Sequence, residues 1–209
     1  MRYRIEVATV EQLQEALDCD VEFVYAPINV ISIESDRVIA IPPVFGGIAN
    51  HSRVLAHTIG QIPQDRTVHG GFRLNITNTE AMREYEKLGL TDAILSIELS
   101  LSRAKAIKST IEKGVIVYGK LPTMLLRRVP ETDGLTDRKD KFLPLVKAEN
   151  QAELLNPVPL ILSDRMDEFT DFDFVVLKLT AGESVKQILS MYQNGIKPKG
   201  EFTRGLYYK

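Results

Sequence analysis

The sequence predicts an α/β fold. It reads as a single (β/α) barrel-like domain of the TIM-barrel type over residues 1–209, with an irregular insertion around residues 121–165. Three observations predict it. Short apolar runs alternate with amphipathic segments of helical period, as in parallel strands whose linking helices pack outside the sheet. Residue pairs with capping-box spacing precede three of the helical segments. Glycines follow helical segments where a left-handed residue closes a helix. Seven or eight such units suit a barrel, and an open doubly wound sheet is the alternative.

The elements follow in order. "YRIEVA" alternates, with Tyr3, Ile5 and Val7 on one face, and reads as a strand. Thr9 and Gln12 open "TVEQLQEAL", where Val10, Leu13 and Leu17 recur at i, i+3 and i+7. "VEFVYAP" is a second strand stopped by Pro27, and "RVIAIP" a third stopped by Pro42 and Pro43. "RTVHGGF" is the fourth. Thr77 and Glu80 open the helix "EAMREYEKLG", with Gly89 just past its end. "AILSIEL" is the fifth strand. "SLSRAKAIKSTIEKG" is a helix with Leu101, Ala104, Ile107 and Ile111 inward and Gly114 closing it. "VIVYGK" is the sixth strand and "FDFVVLKL" the seventh. Thr180 and Glu183 open "ESVKQILSMYQNG", which Gly195 ends, and "EFTRGLYYK" adds a last short strand. Residues 126–157, "LRRVPETDGLTDRKDKFLPLVKAENQAELLNP", are mostly polar, have no helical period and read as a charged loop.

Composition narrows the function classes. A net charge of −2 and a pI near 6.0 give no global field for nucleic acid or an anionic membrane. Cys19 is the single cysteine, so the chain makes no internal disulfide and supplies no cysteine-ligated metal site. No window holds 18 consecutive apolar residues and the start lacks a signal-peptide core, so the expected location is cytoplasmic, with no membrane partner. G-x-G-x-x-G after a strand, G-x-x-x-x-G-K-[ST] and G-x-S-x-G do not occur. His51 and His57 lie six apart, without metal-motif spacing, and are expected at the surface or in local hydrogen bonds. Asp18 and Asp20 beside Cys19 disfavour a thiolate. No metal and no cofactor is expected.

In a parallel sheet, function gathers at the C-terminal strand ends. Those ends give Pro27 and Asn29, then His69, Gly70, Gly71, Arg73 and Asn75, then Glu98, then Tyr118, Gly119 and Lys120, and finally Lys178. His69, Glu98, Tyr118 and Lys120 are the candidate catalytic set, and Arg73 and Asn75 candidate ligand contacts. Such a rim suits an anionic or polar ligand. Structural roles stand beside these: a backbone hydrogen bond for His69, a helix start served by Glu98, a tight turn for Gly70 and Gly71.

Five further segments, in order, resemble the peptidase U32 family of collagenase-like proteases. "VHGGFRLNITNTEAMREYEKLGLTDAILSIELSL" is similar to its H-x-D-F-x-L-N-x-x-N-S block and the L-S-x-E-L-x-L that follows. "VIVYGKLPTMLLRR" resembles V-x-x-H-G-R-x-P-L-M, and "GLTDRKDKFLPL" resembles G-L-x-D-R-K-G-x-x-F-P-V. "LLNPVPLILSDRMDEF" resembles N-S-x-P-L-x-L-x-D, and "GEFTRGLYYK" the closing F-T-R-G block. The N-terminal "RIEVATVEQLQEALDCDVEFVYAP" resembles the opening of the C-terminal module of long members.

The resemblance implies a barrel-like α/β fold, and a family containing proteases and proteins required for hydroxylation of RNA or ubiquinone precursors. The latter carry a four-cysteine iron–sulfur site. Here Val129 and Asp133 stand at two of its cysteine positions, and "VKAENQAELLNP" holds none of the others. Tyr118, Lys120 and Gly71 replace a common histidine, arginine and aspartate, whereas Asn75, Asn78, Glu98, Arg138 and Arg204 match. The resemblance thus adds Asn78, Arg138 and Arg204 to the ligand contacts. It implies a binding or partner subunit without the iron–sulfur site, in RNA or cofactor hydroxylation, beside a cluster-bearing U32 paralogue or a second copy of itself. A U32-type peptidase or hydrolase is the alternative. Direct RNA binding through Arg127, Arg128, Arg138, Lys139 and Lys141 is a third, weakened by the interleaved Asp133, Asp137 and Asp140.

Overall fold

In a computed structural model, which describes every residue except Ile48, Gln64 and Glu149, eight parallel strands close into a barrel. β1 (Arg2–Glu6), β2 (Phe23–Pro27), β3 (Val38–Ile41), β4 (Arg53–Ala56), β5 (Thr67–Gly70), β6 (Leu90–Ile94) and β7 (Glu112–Gly119) pair in sequence. The chain then leaves the barrel for β8 (Pro122–Leu126), β9 (Gly134–Thr136), β10 (Phe142–Ala148) and β11 (Gln151–Leu155). These form an antiparallel sheet in the order β8-β11-β10-β9, a roof over one end of the barrel. The chain next lays β12 (Leu160–Ile161) antiparallel beside the end of β7. It returns as β13 (Phe174–Lys178), between β7 and β1, closing the ring.

Among the described residues four α-helices lie against the barrel: α1 (Val10–Leu17), α2 (Thr79–Lys87), α3 (Leu101–Ala106) and α4 (Val185–Gln193). Among the described residues β2, β3, β4 and β5 follow one another without α-helices, through loops and one 3-10 turn. This economy lets about 200 residues close a fold that usually takes about 250. No described helix is long and apolar enough to cross a membrane.

Several expectations change. "RVLA" is a strand, β4, passed over because four residues between two histidines gave too little pattern. The insertion expected to be irregular at residues 121–165 holds β8 to β11, whose period is two, the period of a sheet. α3 stops at Ala106, and Gly114 lies inside β7, because a Cβ there would overlap the Phe174 ring. The tail adds only a single bridge, Leu160 to Thr203. Gly89 and Gly195 hold the expected positive φ, at 94° and 60°.

The caps are partly as expected. Thr9 accepts from the Gln12 N–H at 3.3 Å. α4 begins two residues beyond Glu183, at Val185, with Ser184 as its N-cap. The Glu15 carboxylate of α1 reinforces that cap, accepting from Val185 and Lys186 N–H at 3.0 Å each. α2 is capped by Asn78 instead of Thr77: its Oδ1 accepts from the Ala81 N–H at 2.8 Å. Asn78→Ala is therefore expected to destabilise the fold by about 1 kcal/mol, and Thr77→Ala by much less. Guanidinium unfolding midpoints separate the two; equal shifts would contradict the assignment.

Candidate functional site

Residues of one parity along β1, β2, β5, β6 and β13 point into the barrel, and they build two polar layers. The lower layer centres on Arg4, which is 1% exposed. Its Nε donates to Glu22 at 2.5 Å, its Nη1 to Asp92 at 2.8 Å and Tyr25 at 3.0 Å, and its Nη2 to Glu112 at 3.2 Å. The Phe174 ring centroid lies 3.5 Å from the guanidinium carbon. His69 belongs to this layer: its Nδ1 lies 2.8 Å from Asp92 Oδ2, which as a carboxylate accepts the proton. Glu22 precedes β2 and Glu112 opens β7, so the layer sits at the N-terminal strand ends, where barrels keep stability rather than chemistry.

The upper layer lies at the C-terminal mouth, beneath the roof, around a cleft of about 410 Å³. β1 and β13 pair Glu6 with Lys178 in register, and the two side chains form an ion pair. Burial acts to lower the Lys178 pKa, but the Glu6 carboxylate, with Glu153, outweighs it and holds the ammonium above the ordinary lysine value. Arg73, just past β5, crosses to the roof and donates to Glu153 of β11 at 2.8 Å. Gln151 ties the roof down at a second point, its Oε1 accepting from the Val44 N–H at 2.8 Å and the Phe45 N–H at 3.3 Å. His57 follows β4 and lines the cleft at 6% exposure. Burial, then the Arg73 and Lys178 cations, push its pKa down to about 3, so the imidazole is neutral at pH 7. It lies against the Gly71 backbone, where a Cβ would overlap Nδ1. Pro27, Ile28, Val30, Ile41 and Phe72 form the apolar wall.

A second, shallower cleft of about 250 Å³ adjoins it. Arg73 lines both. Asn75, in the left-handed region at φ 53°, accepts from Ser96 Oγ at 2.6 Å, and that hydroxyl accepts from the Glu98 N–H at 3.3 Å.

The barrel is similar in fold to that of a solved U32 peptidase. The solved structure of the U32 peptidase Mk0906 is similar to this chain with a TM-score of 0.54, covering 88% of this chain and 94% of that one at 10% identity. No protein-family model matches the sequence, and no curated protein matches it. At this identity the likeness speaks for the fold alone.

The U32-like fold separates residues that the sequence grouped together. Of the four candidate catalytic residues, only Glu98 lines either cleft, the shallower one, and it is exposed. His69 is in the lower layer, not at the rim. Tyr118 faces outward, because a register shift in the β7–β13 pairing sets it opposite Leu177. Its hydroxyl donates to Glu183 at 2.6 Å, and burial, then that carboxylate, raise the phenol pKa. Lys120 is half-buried just past β7 and lines neither cleft.

Among the ligand candidates, Arg73 and Asn75 meet at the second cleft. Asn78 is a helix cap. Arg204 holds Asp164 at 2.6 and 2.9 Å and the Ile161 carbonyl at 2.9 Å, pinning the tail. Arg138 is exposed in the turn that Asp137 organises through the Lys139 and Lys141 N–H groups. Of the other cations considered for RNA, Lys141 pairs with Glu201, Arg127 stacks on Phe45, and Arg128 and Lys139 are exposed.

The donors do not fit an iron–sulfur cluster. Val129 is 39% exposed, and Asp133 forms an exposed pair with Lys147 at 3.0 Å. Cys19, the only thiol, sits just past α1, where its Sγ donates to the Glu15 carbonyl.

Sequence reasoning missed Glu6, His57, Gln151 and Glu153. Glu6 and His57 had a signal, since each stands at the C-terminal end of a strand once β1 and β4 are delimited. Gln151 and Glu153 had none without the roof.

Proposed function

We propose that the protein is a binding protein or partner subunit on a U32-like barrel, taking a small ligand in the cleft between mouth and roof. One observation carries this reading: two ion pairs, Glu6–Lys178 and Arg73–Glu153, face an apolar wall in a single concave space of suitable size. Both carboxylates are engaged with cations, an arrangement that suits fixing a ligand's orientation. Action beside a catalytic partner in RNA or cofactor modification is compatible with such a role.

A thermal-shift screen of metabolite-sized molecules tests it. The expected result is a compound that raises the unfolding temperature of the wild type and not of Lys178→Met. No hit at millimolar concentration, or hits that the variant retains, would overturn the reading. The second reading, a U32-type hydrolase, is favoured by the neutral His57 imidazole in the same cleft and by the fold of Mk0906. Mass spectrometry of each bound compound separates the two: recovery unchanged supports binding, and fragments that vanish with His57→Ala support hydrolysis.

A further inference from the structure

Resting on the reading of the cleft as a ligand site, we infer the class of its ligand: a small monocarboxylate with an apolar body, its carboxylate held between Lys178 and Arg73.

The first argument is donor capacity. A lysine ammonium carries three donors and an arginine guanidinium five. Among the described residues Lys178 uses one, toward Glu6, and Arg73 uses one, toward Glu153. Both side chains are largely buried, at 13% and 16% exposure, so water has limited access to the remaining donors. Donors that face a cleft with this little access to water gain from a further partner, and a carboxylate is the small group that satisfies several at once, in shortened charge-assisted bonds.

The second argument is the balance of free groups in the cleft. Glu6 and Glu153 also have an unused oxygen each, so an ammonium ligand has to be weighed. Among the described residues, six N–H groups of Lys178 and Arg73 are without a partner, against those two oxygens, and the balance favours an anion. His57 lies in the same cleft with its Nδ1 buried and unpartnered, and burial, then the two cations, keep its ring neutral. The neutral imidazole fits such a ligand, because it adds hydrogen-bonding capacity without a charge to desolvate.

The third argument is the rest of the lining. Pro27, Ile28, Val30, Ile41, Phe72 and Val146 offer hydrocarbon to the body of the ligand. A second charged group on the ligand would meet this wall unsolvated.

Titration calorimetry on the full chain tests the class with four probes of similar shape: phenylacetate, 4-methylpentanoate, phenylacetamide and phenethylamine. The acids are expected to bind saturably, and the amide and amine about tenfold more weakly or not at all. Arg73→Gln should weaken the acids by about tenfold. Glu153→Gln should tighten them several-fold, since it releases Arg73 and removes a repelling charge; a gain of affinity does not arise from misfolding. An amine that binds as well as the acids, or a Glu153→Gln variant no tighter than wild type, overturns the inference. If the acids fail while the thermal-shift screen finds a cleft ligand of another class, the carboxylate assignment falls and the binding site stands. If neither finds a ligand, both fall.

Discussion

Replacing Arg4 with methionine is expected to lower the unfolding free energy by about 3–5 kcal/mol, the range for removing one member of a buried ionic network. Arg4 contacts three carboxylates and a phenol inside the lower layer, and methionine leaves Asp92, itself buried, without its cation. Guanidinium unfolding at pH 7 measures the loss.

The same variant carries a pH signature. Burial acts to raise the Asp92 pKa, but His69 and Arg4 outweigh it and hold it below the ordinary carboxylate value. A depressed carboxylate stabilises the fold fully above its unfolded value, about 4, and that contribution is lost as pH falls through the lower folded value. Without Arg4 the depression shrinks, so acid relieves the variant by protonating Asp92. The gap between wild type and Arg4→Met should narrow as pH drops below about 4. Adding Asp92→Asn to the variant should recover part of the stability at pH 7, because the two sites share one contact. A gap that stays constant from neutral to acid pH would contradict the assignment.

Gly119→Ala is the second large effect, expected at about 3 kcal/mol or more. Two causes add. Gly119 holds φ at 125°, a conformation that side-chain-bearing residues adopt only with strain. A Cβ there would also overlap the carbonyl oxygen of Lys178 on the neighbouring strand. That oxygen belongs to the barrel wall, so relief requires β7 and β13 to separate. Lys178 stands on this backbone, so the substitution should also reduce ligand affinity in whatever folded population remains. Gly182→Ala is the control: its φ is also positive, at 88°, but nothing lies within 4 Å of the added Cβ. A smaller loss at Gly182 than at Gly119 is the expected outcome in unfolding midpoints, and equal losses would remove the steric part of the explanation.

The barrel was legible where strand and helix periods alternate cleanly, as from α2 through β6 and from β13 through α4. It was less legible where an interior is polar. Tyr3, Ile5 and Val7 read as one face of an alternating strand, and that face does belong to the apolar core. Arg4 and Glu6 occupy the other face, the barrel lumen, which a surface strand would have given to water. Alternation identifies two faces and leaves open that both are buried. Gly114 illustrates a second limit: a glycine after an amphipathic run reads as a helix stop, and only the Phe174 ring in the neighbouring strand shows why it belongs to β7. The candidate site was harder still. Arg73 was visible from its strand end, but its partner Glu153 lies 80 residues away on a roof with no local signature. The rim rule found the right end of the barrel and missed the bulge that turns Tyr118 out of it.

The joint between β1 and β13 has a consequence for how the protein matures. Glu6 and Lys178 are 172 residues apart, so the seam that seals the barrel is also among its longest-range contacts. Gln12 and Glu15 of the first helix reach across that seam, to the Thr180 and Glu183 carbonyls and to the N-terminus of α4. During synthesis β1 keeps one edge unpaired until β13 has been made, and closure is an entropically demanding step. The Glu6–Lys178 pair of the upper cleft forms in that step, because it spans the joint. A ligand held there would act as a clasp on the finished molecule, and would slow its reopening more than it hastens its assembly.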